Sequence, residues 1–185
     1  IANINLKEYD KALNNYDTIL RYDKCNVRAI LYRGSALVQM GDSLKALDEF
    51  SRASQINSYS ADAFTYKGML NYQLKHFNEA LNDYNHLQEL RPMDPNVYIN
   101  RAITRYNLDD LKGCLDDLNE ALKLDPKNLP AYANRAMLRT EIGDYNNAIN
   151  DYSKALAINP SDDIALFNRA NLYIQTGDLR SAIAD

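Results

Sequence analysis

Apolar and polar positions along this chain recur with a period of 34 residues, without insertion or deletion from one end to the other. Within each period two apolar patterns of helical spacing flank a short polar turn, and a Pro or an Asn/Asp-rich break closes the period. One column of small residues is Gly34, Gly68, Ala102, Ala136 and Ala170; a second is Ala12, Ala46, Ala80, Cys114, Ala148 and Ala182. A third, less strict, is Ile19, Ala53, Leu87, Ala121 and Ala155. Rings or large apolar side chains fill Tyr16, Phe50, Tyr84, Leu118 and Tyr152, and likewise Ile30, Phe64, Tyr98, Tyr132 and Leu166.

In the fourth full period the spacing predicts a helix over 130–142, with Pro130 suited to a first turn. Gly143 can take the left-handed conformation that ends it. Asp144 is then an N-cap candidate for a second helix over 145–158, as are Asp42, Asp110 and Asp178 in the same column. Asn159-Pro160 stops that helix, and Pro92 and Pro126 do the same in their periods. β-branched residues are few and alternation of period two is nowhere sustained, so no strand is expected. Gly or Ala on the first helix facing Ala on the second lets two backbones approach closely, and the rings fill the space between one hairpin and the next. The expected fold class is all-α, an α-solenoid of antiparallel helical hairpins, each burying its apolar face on its neighbours.

Tyr132, Ala136, Gly143-Asp144-Tyr145, Ala148, Tyr152, Ala155 and Pro160, repeated at 34, resemble the tetratricopeptide repeat (TPR). The resemblance covers the whole chain: a partial repeat over 1–26, full repeats over 27–60, 61–94, 95–128 and 129–162, and a partial repeat over 163–185. Both ends fall inside a repeat, so the chain reads as a fragment of a longer array. Departures from the pattern are local: Lys24 and Ser58 stand where later units have Pro, and Leu87 enlarges a column that otherwise holds Ala53, Ala121 and Ala155. The resemblance implies a right-handed superhelix whose concave surface is lined by the first helix of each pair and binds peptides or protein segments.

Beside the small residue of the first helix stands a base: Arg33, Lys67, Arg101, Arg135, Arg169. Sixteen residues later each has an acid: Glu49, Asp83, Asp117, Asp151, Asp185. Two readings follow, a ladder of structural ion pairs or a basic groove for acidic ligands. The ladder is preferred, because a guanidinium already paired is less free to bind something else. One residue earlier lies the column Tyr32, Tyr66, Asn100, Asn134, Asn168. A step of one residue turns a helical side chain by about 100°, which aims this column at the expected groove. Carboxamides at Asn100, Asn134 and Asn168 could donate to and accept from the main chain of an extended peptide, resembling the asparagine ladder in the TPR superhelix of the nucleocytoplasmic O-GlcNAc transferase. Solvated Asn, or Asn bonding the next helix, is the other reading. Further groove candidates are Met69, Tyr72, Ile103, Tyr106, Met137 and Asn171. The family's two-carboxylate clamp is disfavoured, since Leu31, Thr65, Ile99, Ala133 and Phe167 stand where its first Lys belongs.

Composition changes this picture little. The chain has 185 residues, 46% hydrophobic and 25% charged, and a net charge of −4, which gives no footprint for nucleic acid. No apolar stretch is long enough to span a bilayer, and no leader is visible. The compartment is therefore open, with the cytoplasm as default. Cys25 and Cys114 lie too far apart along a linear stack to pair. His76 and His86, ten residues apart, lack metal-site spacing, and no nucleophile stands beside a base. The expected function is a non-enzymatic protein–protein interaction scaffold, without cofactor or metal, taking a peptide or helix on its concave face. The alternative is a substrate-recruiting arm of a larger enzyme whose catalytic domain lies outside this segment. End-to-end self-association is also expected of an array cut mid-hairpin.

Overall fold

The computed structural model describes residues 2–185, with side chains from residue 8 onward. Among the described residues there are eleven α-helices and no strand: α1 (Ala2–Tyr22), α2 (Val27–Gln39), α3 (Ser43–Ile56), α4 (Ala61–Gln73), α5 (Phe77–Leu90), α6 (Pro95–Asn107), α7 (Leu111–Leu124), α8 (Leu129–Glu141), α9 (Tyr145–Ile158), α10 (Asp163–Thr176) and α11 (Leu179–Ala184). They form two compact units, Ile1–Pro92 with α1 to α5 and Met93–Asp185 with α6 to α11. In the first unit α2 packs on α3, α3 on α4 and α4 on α5; in the second, α6 to α11 follow the same order of succession. Each unit is thus a stack of antiparallel hairpins, as the period requires.

Local signals set the ends of these helices. Pro95 and Pro130 occupy first turns, where a missing N–H costs nothing. Asn26, Asp42, Ser60, Asp94, Asp110, Asn128, Asp162 and Asp178 each accept a hydrogen bond from a backbone amide at the start of the following helix. Asp144 stands at the N-cap of α9, yet its carboxylate takes the Asn147 side-chain amide at 2.9 and 3.0 Å instead of a backbone N–H. His76 holds the same position before α5 and makes no side-chain cap.

The turn between first and second helix has one left-handed residue in every full period. Gly41, Gly143 and Gly177 adopt it with φ of 84°, 79° and 86°. Lys75 and Asp109 fill the same slot at φ of 61° and 62°. A side chain there is strained because its Cβ crowds the backbone.

Packing follows the small columns. In the first unit Ile30, Ala46, Phe50, Ala53 and Ala63 form a core with Leu20, Ala29, Leu31 and Leu70. In the second, Ala102, Cys114, Leu118 and Leu138 form one cluster, Tyr98, Ala121 and Tyr132 centre a second, and Ala136, Ala148, Tyr152 and Leu172 a third. Where the first helix carries glycine, the ring opposite comes closest. A Cβ on Gly34 would lie 2.5 Å from the Phe50 ring, and one on Gly68 would lie 3.0 Å from the Tyr84 ring. Phe50 has little room to retreat, because it is buried and stacks on Tyr66 at 5.3 Å between centroids. Ala102 faces the smaller Leu118 in its cluster, and a methyl is accommodated.

Two stability outcomes follow. Gly34→Ala gains about 1 kcal/mol of helix propensity but overpacks Phe50 at a cost of about 1–3 kcal/mol, so urea denaturation is expected to give a net loss. Lys75→Gly, relieved of left-handed strain, is expected to raise stability by about 0.5–1 kcal/mol, while the same change one residue earlier, Leu74→Gly, lowers it.

Candidate functional site

The first helices α2, α4, α6, α8 and α10 present two kinds of side chain one residue apart. The basic column is tied down. Arg33 donates to Glu49 at 2.5 Å and to Asp17 at 2.6 Å. Lys67 reaches Asp83 at 2.8 Å, where Asn71 donates to the other oxygen, also at 2.8 Å. Arg101 grips Asp117 through two nitrogens at 2.7 and 3.0 Å, and Arg135 grips Asp151 at 2.7 and 2.9 Å. Arg169 grips Asp185 in the same bidentate manner. The third nitrogen of these arginines reaches back: Arg135 to Asn119 at 2.7 Å and Arg169 to Ser153 at 3.0 Å. A base thus links its own second helix to the second helix before it, each partner sixteen residues away.

A second guanidinium joins in the second unit. Arg105 and Arg139 donate to Asp117 and Asp151 at 2.9 and 2.6 Å, from the position that Asn71 holds in the first unit. Burial lifts the Asp83 carboxyl above the ordinary carboxylate range, with Lys67 and Asn71 pulling it down less strongly. For Arg33 burial opposes the charge, but hydrogen bonds to Glu49 and Asp17 hold it above its usual value. Neither Arg105 nor Arg139 belongs to the basic column read from the sequence, although a helical spacing of four places them beside Arg101 and Arg135.

The neighbouring columns open into clefts between successive first helices. In the first unit a cleft of about 240 Å³ is lined by Ser35, Val38, Gln39, Phe50, Tyr66, Met69, Leu70 and Gln73. In the second a cleft of about 360 Å³ is lined by Met137, Thr140, Glu141, Tyr152, Asn168, Asn171, Leu172 and Gln175. These two sets correspond residue for residue at three periods' distance. The floor of each is a ring from the second helix and a buried leucine, Phe50 with Leu70 and Tyr152 with Leu172. Met69 and Met137 stand exposed at the rim, at 45% and 59%.

Of the expected groove residues, Tyr66 and Met69 meet in the first cleft and Met137, Asn168 and Asn171 in the second. Asn168 lies in hydrogen-bonding reach of the buried Tyr152 hydroxyl, whose pKa is raised by burial and partly lowered by that amide. Asn134, whose floor residue is Leu118, makes no side-chain hydrogen bond to the described residues, and nor does Asn100. Tyr32 leans on Tyr16 at 6.1 Å and accepts from Arg28 at 3.2 Å. Tyr72 packs against Phe77, and Ile103 is half-buried against the core around Tyr98. Tyr106 donates its hydroxyl to Glu141 at 2.6 Å, which raises the phenol's pKa.

Among the described residues no group of three His, Cys, Asp or Glu could hold a metal ion. His86 packs beside the Phe64 ring at 5.2 Å. Cys114 is buried and its thiol is pushed up to about 11, by burial first and Asp117 next, so it stays protonated near neutral pH. No described helix is long and apolar enough to cross a membrane.

The TPR-repeat family profile matches residues 136–177. Among solved structures, a tetratricopeptide repeat protein from Parabacteroides merdae superposes with a TM-score of 0.81 at 21% identity, covering 96% of this chain and 71% of that one. YrrB, described as a TPR protein with an unusual peptide-binding site, gives 0.75 at 15% identity over 91% of this chain and 87% of its own. A segment of MamA from Desulfovibrio magneticus gives 0.78 at 19% identity, with 88% and 94% covered. These likenesses carry the fold. No curated protein matches the chain significantly.

If the basic column is structural, Arg135→Leu leaves Asp151, whose side chain is 1% exposed, with Arg139 alone. A loss of about 2–3 kcal/mol is expected in chemical denaturation. An unchanged denaturation midpoint would mean that Arg135 is held for a ligand instead.

Proposed function

We propose that this chain, a tetratricopeptide-repeat protein, is a non-catalytic interaction scaffold that takes an extended peptide into the clefts between successive first helices. The observation that supports this most is the recurrence of one cleft in both units, built from eight corresponding positions three periods apart. Within each unit, a cleft with a ring-and-leucine floor and a differing rim suits a peptide whose main chain crosses the first helices while a side chain enters the cleft. The floors bury apolar groups, the methionines adapt to different shapes, and Asn134 offers a carboxamide with both donor and acceptor uncommitted. Of the proteins with this fold, YrrB is described as having a peptide-binding site. The same use is inferred here.

The paired bases argue against the other reading of the sequence. Arg33, Lys67, Arg135 and Arg169 spend their hydrogen bonds within the fold, so an acidic ligand would have to displace an acid already in place.

The experiment is selection of random-sequence peptides on the intact chain, with affinities then read by fluorescence anisotropy. Met69→Ala and Asn134→Ala are each expected to weaken the selected peptides about tenfold at an unchanged melting temperature. Wild-type affinity in both variants would remove the clefts as the binding surface.

A further inference from the structure

We infer that the cleft between α8 and α10 takes a lysine or arginine side chain of the bound peptide, with Glu141 as its counter-ion. This deepens the reading of the clefts above and rests on it. Glu141 is the one charged residue lining that cleft. Its column otherwise holds Gln39, Gln73, Asn107 and Gln175, so the equivalent cleft of the first unit, lined by Gln39 and Gln73, has no charge at all.

The carboxylate is held and yet uncompensated. Tyr106, one period back on α6, donates its hydroxyl to one Glu141 oxygen at 2.6 Å, which orients the group and leaves the second oxygen open. Glu141 makes no ion pair among the described residues. The guanidiniums nearest in sequence are spoken for: Arg139 by Asp151 and Arg105 by Asp117. A cation arriving from outside therefore meets no competing intramolecular partner.

The rest of the cleft suits the remainder of such a side chain. Met137, Leu172 and the Tyr152 ring provide an apolar wall for a methylene stem. Thr140 donates its hydroxyl back to the Ala136 carbonyl at 2.8 Å, so what it presents to the cleft is an acceptor. The carboxamide oxygens of Asn171 and Gln175 add acceptors around the head group. A carboxylate ligand would instead face Glu141 across this space, and a purely apolar one would strip water from it without return.

The test uses the intact chain and a phage-displayed random-sequence peptide library. Wild-type protein is expected to select peptides with lysine or arginine enriched at one fixed position, and Glu141→Gln, which keeps the shape, to select peptides without that preference. A peptide selected on wild type is expected to bind Glu141→Gln about five-fold more weakly, with a smaller salt dependence. Neutral replacement of its basic residue is expected to abolish the difference between the two proteins. Peptides without a basic preference, or a preference that survives Glu141→Gln, would overturn this assignment, while sensitivity to Met69→Ala or Asn134→Ala would leave the general cleft reading standing. No selected peptide on any of these proteins would overturn both.

Discussion

Close approach between a first helix and the second helix of the same hairpin governs this molecule. At Gly34 the Phe50 ring sits where a Cβ would be, and at Gly68 the Tyr84 ring does nearly the same. Ala102 and Ala136 are fully buried in clusters with Leu118 and Tyr152. Once that column is committed to the hairpin contact, the turn of about 100° per residue assigns every other column to a face. The residue before the small one lies beside the second helices and is a base. Residues two before and one after it line the clefts, as Tyr66 and Met69 flank Gly68. The cleft face and the ion-paired face are separated by a single residue of helix.

Placing a base so close to buried packing needs a partner, and the molecule supplies it at a fixed distance of sixteen residues in both directions. Arg135 spans Asn119 and Asp151. Such a bridge ties three helices with one side chain, and its planar fork suits a carboxylate bidentately. The first unit does this less completely. There Lys67 and Asn71 stand where the second unit has arginine pairs, and burial prevails over attraction at Asp83. In the second unit two guanidiniums converge on each buried acid, Arg101 with Arg105 on Asp117 and Arg135 with Arg139 on Asp151.

The repetition made the hairpins legible before any coordinates. The helix over 145–158 coincides with α9, and the one over 130–142 is displaced by a single residue at each end. The sixteen-residue spacing of base and acid was visible too. What the columns did not reveal are relations between neighbouring periods. Asn168 seemed equivalent to Asn134, yet the ring under it carries a hydroxyl at Tyr152 while Asn134 has Leu118 beneath. Ile103 shares a column with Met69 and Met137 but turns into the core around Tyr98. Lys75 and Asp109 break the turn glycine without breaking the turn, because the hairpin contacts on either side hold the backbone left-handed against the preference of a side chain. Glu141 is the opposite case, a single charged member of a column that otherwise holds Gln39, Gln73, Asn107 and Gln175.

That last point has a general physical basis. Columns that repeat are those in which a change would create a clash, a void or an unpaired buried charge, and these fill the hairpin contact and the ion bridges. Cleft columns are solvated in the free molecule, so substitution there costs little stability. The column containing Tyr66 and Asn168 varies for that reason, and the amide column of Gln39, Gln73, Asn107 and Gln175 admits Glu141. In this chain the departures from the period accordingly gather at the cleft rims. In the cleft between α8 and α10, Leu172 and Tyr152 form a floor like that of Leu70 and Phe50 three periods earlier, Glu141 departs from its amide column, and Tyr106 from the preceding period holds the departing group in place.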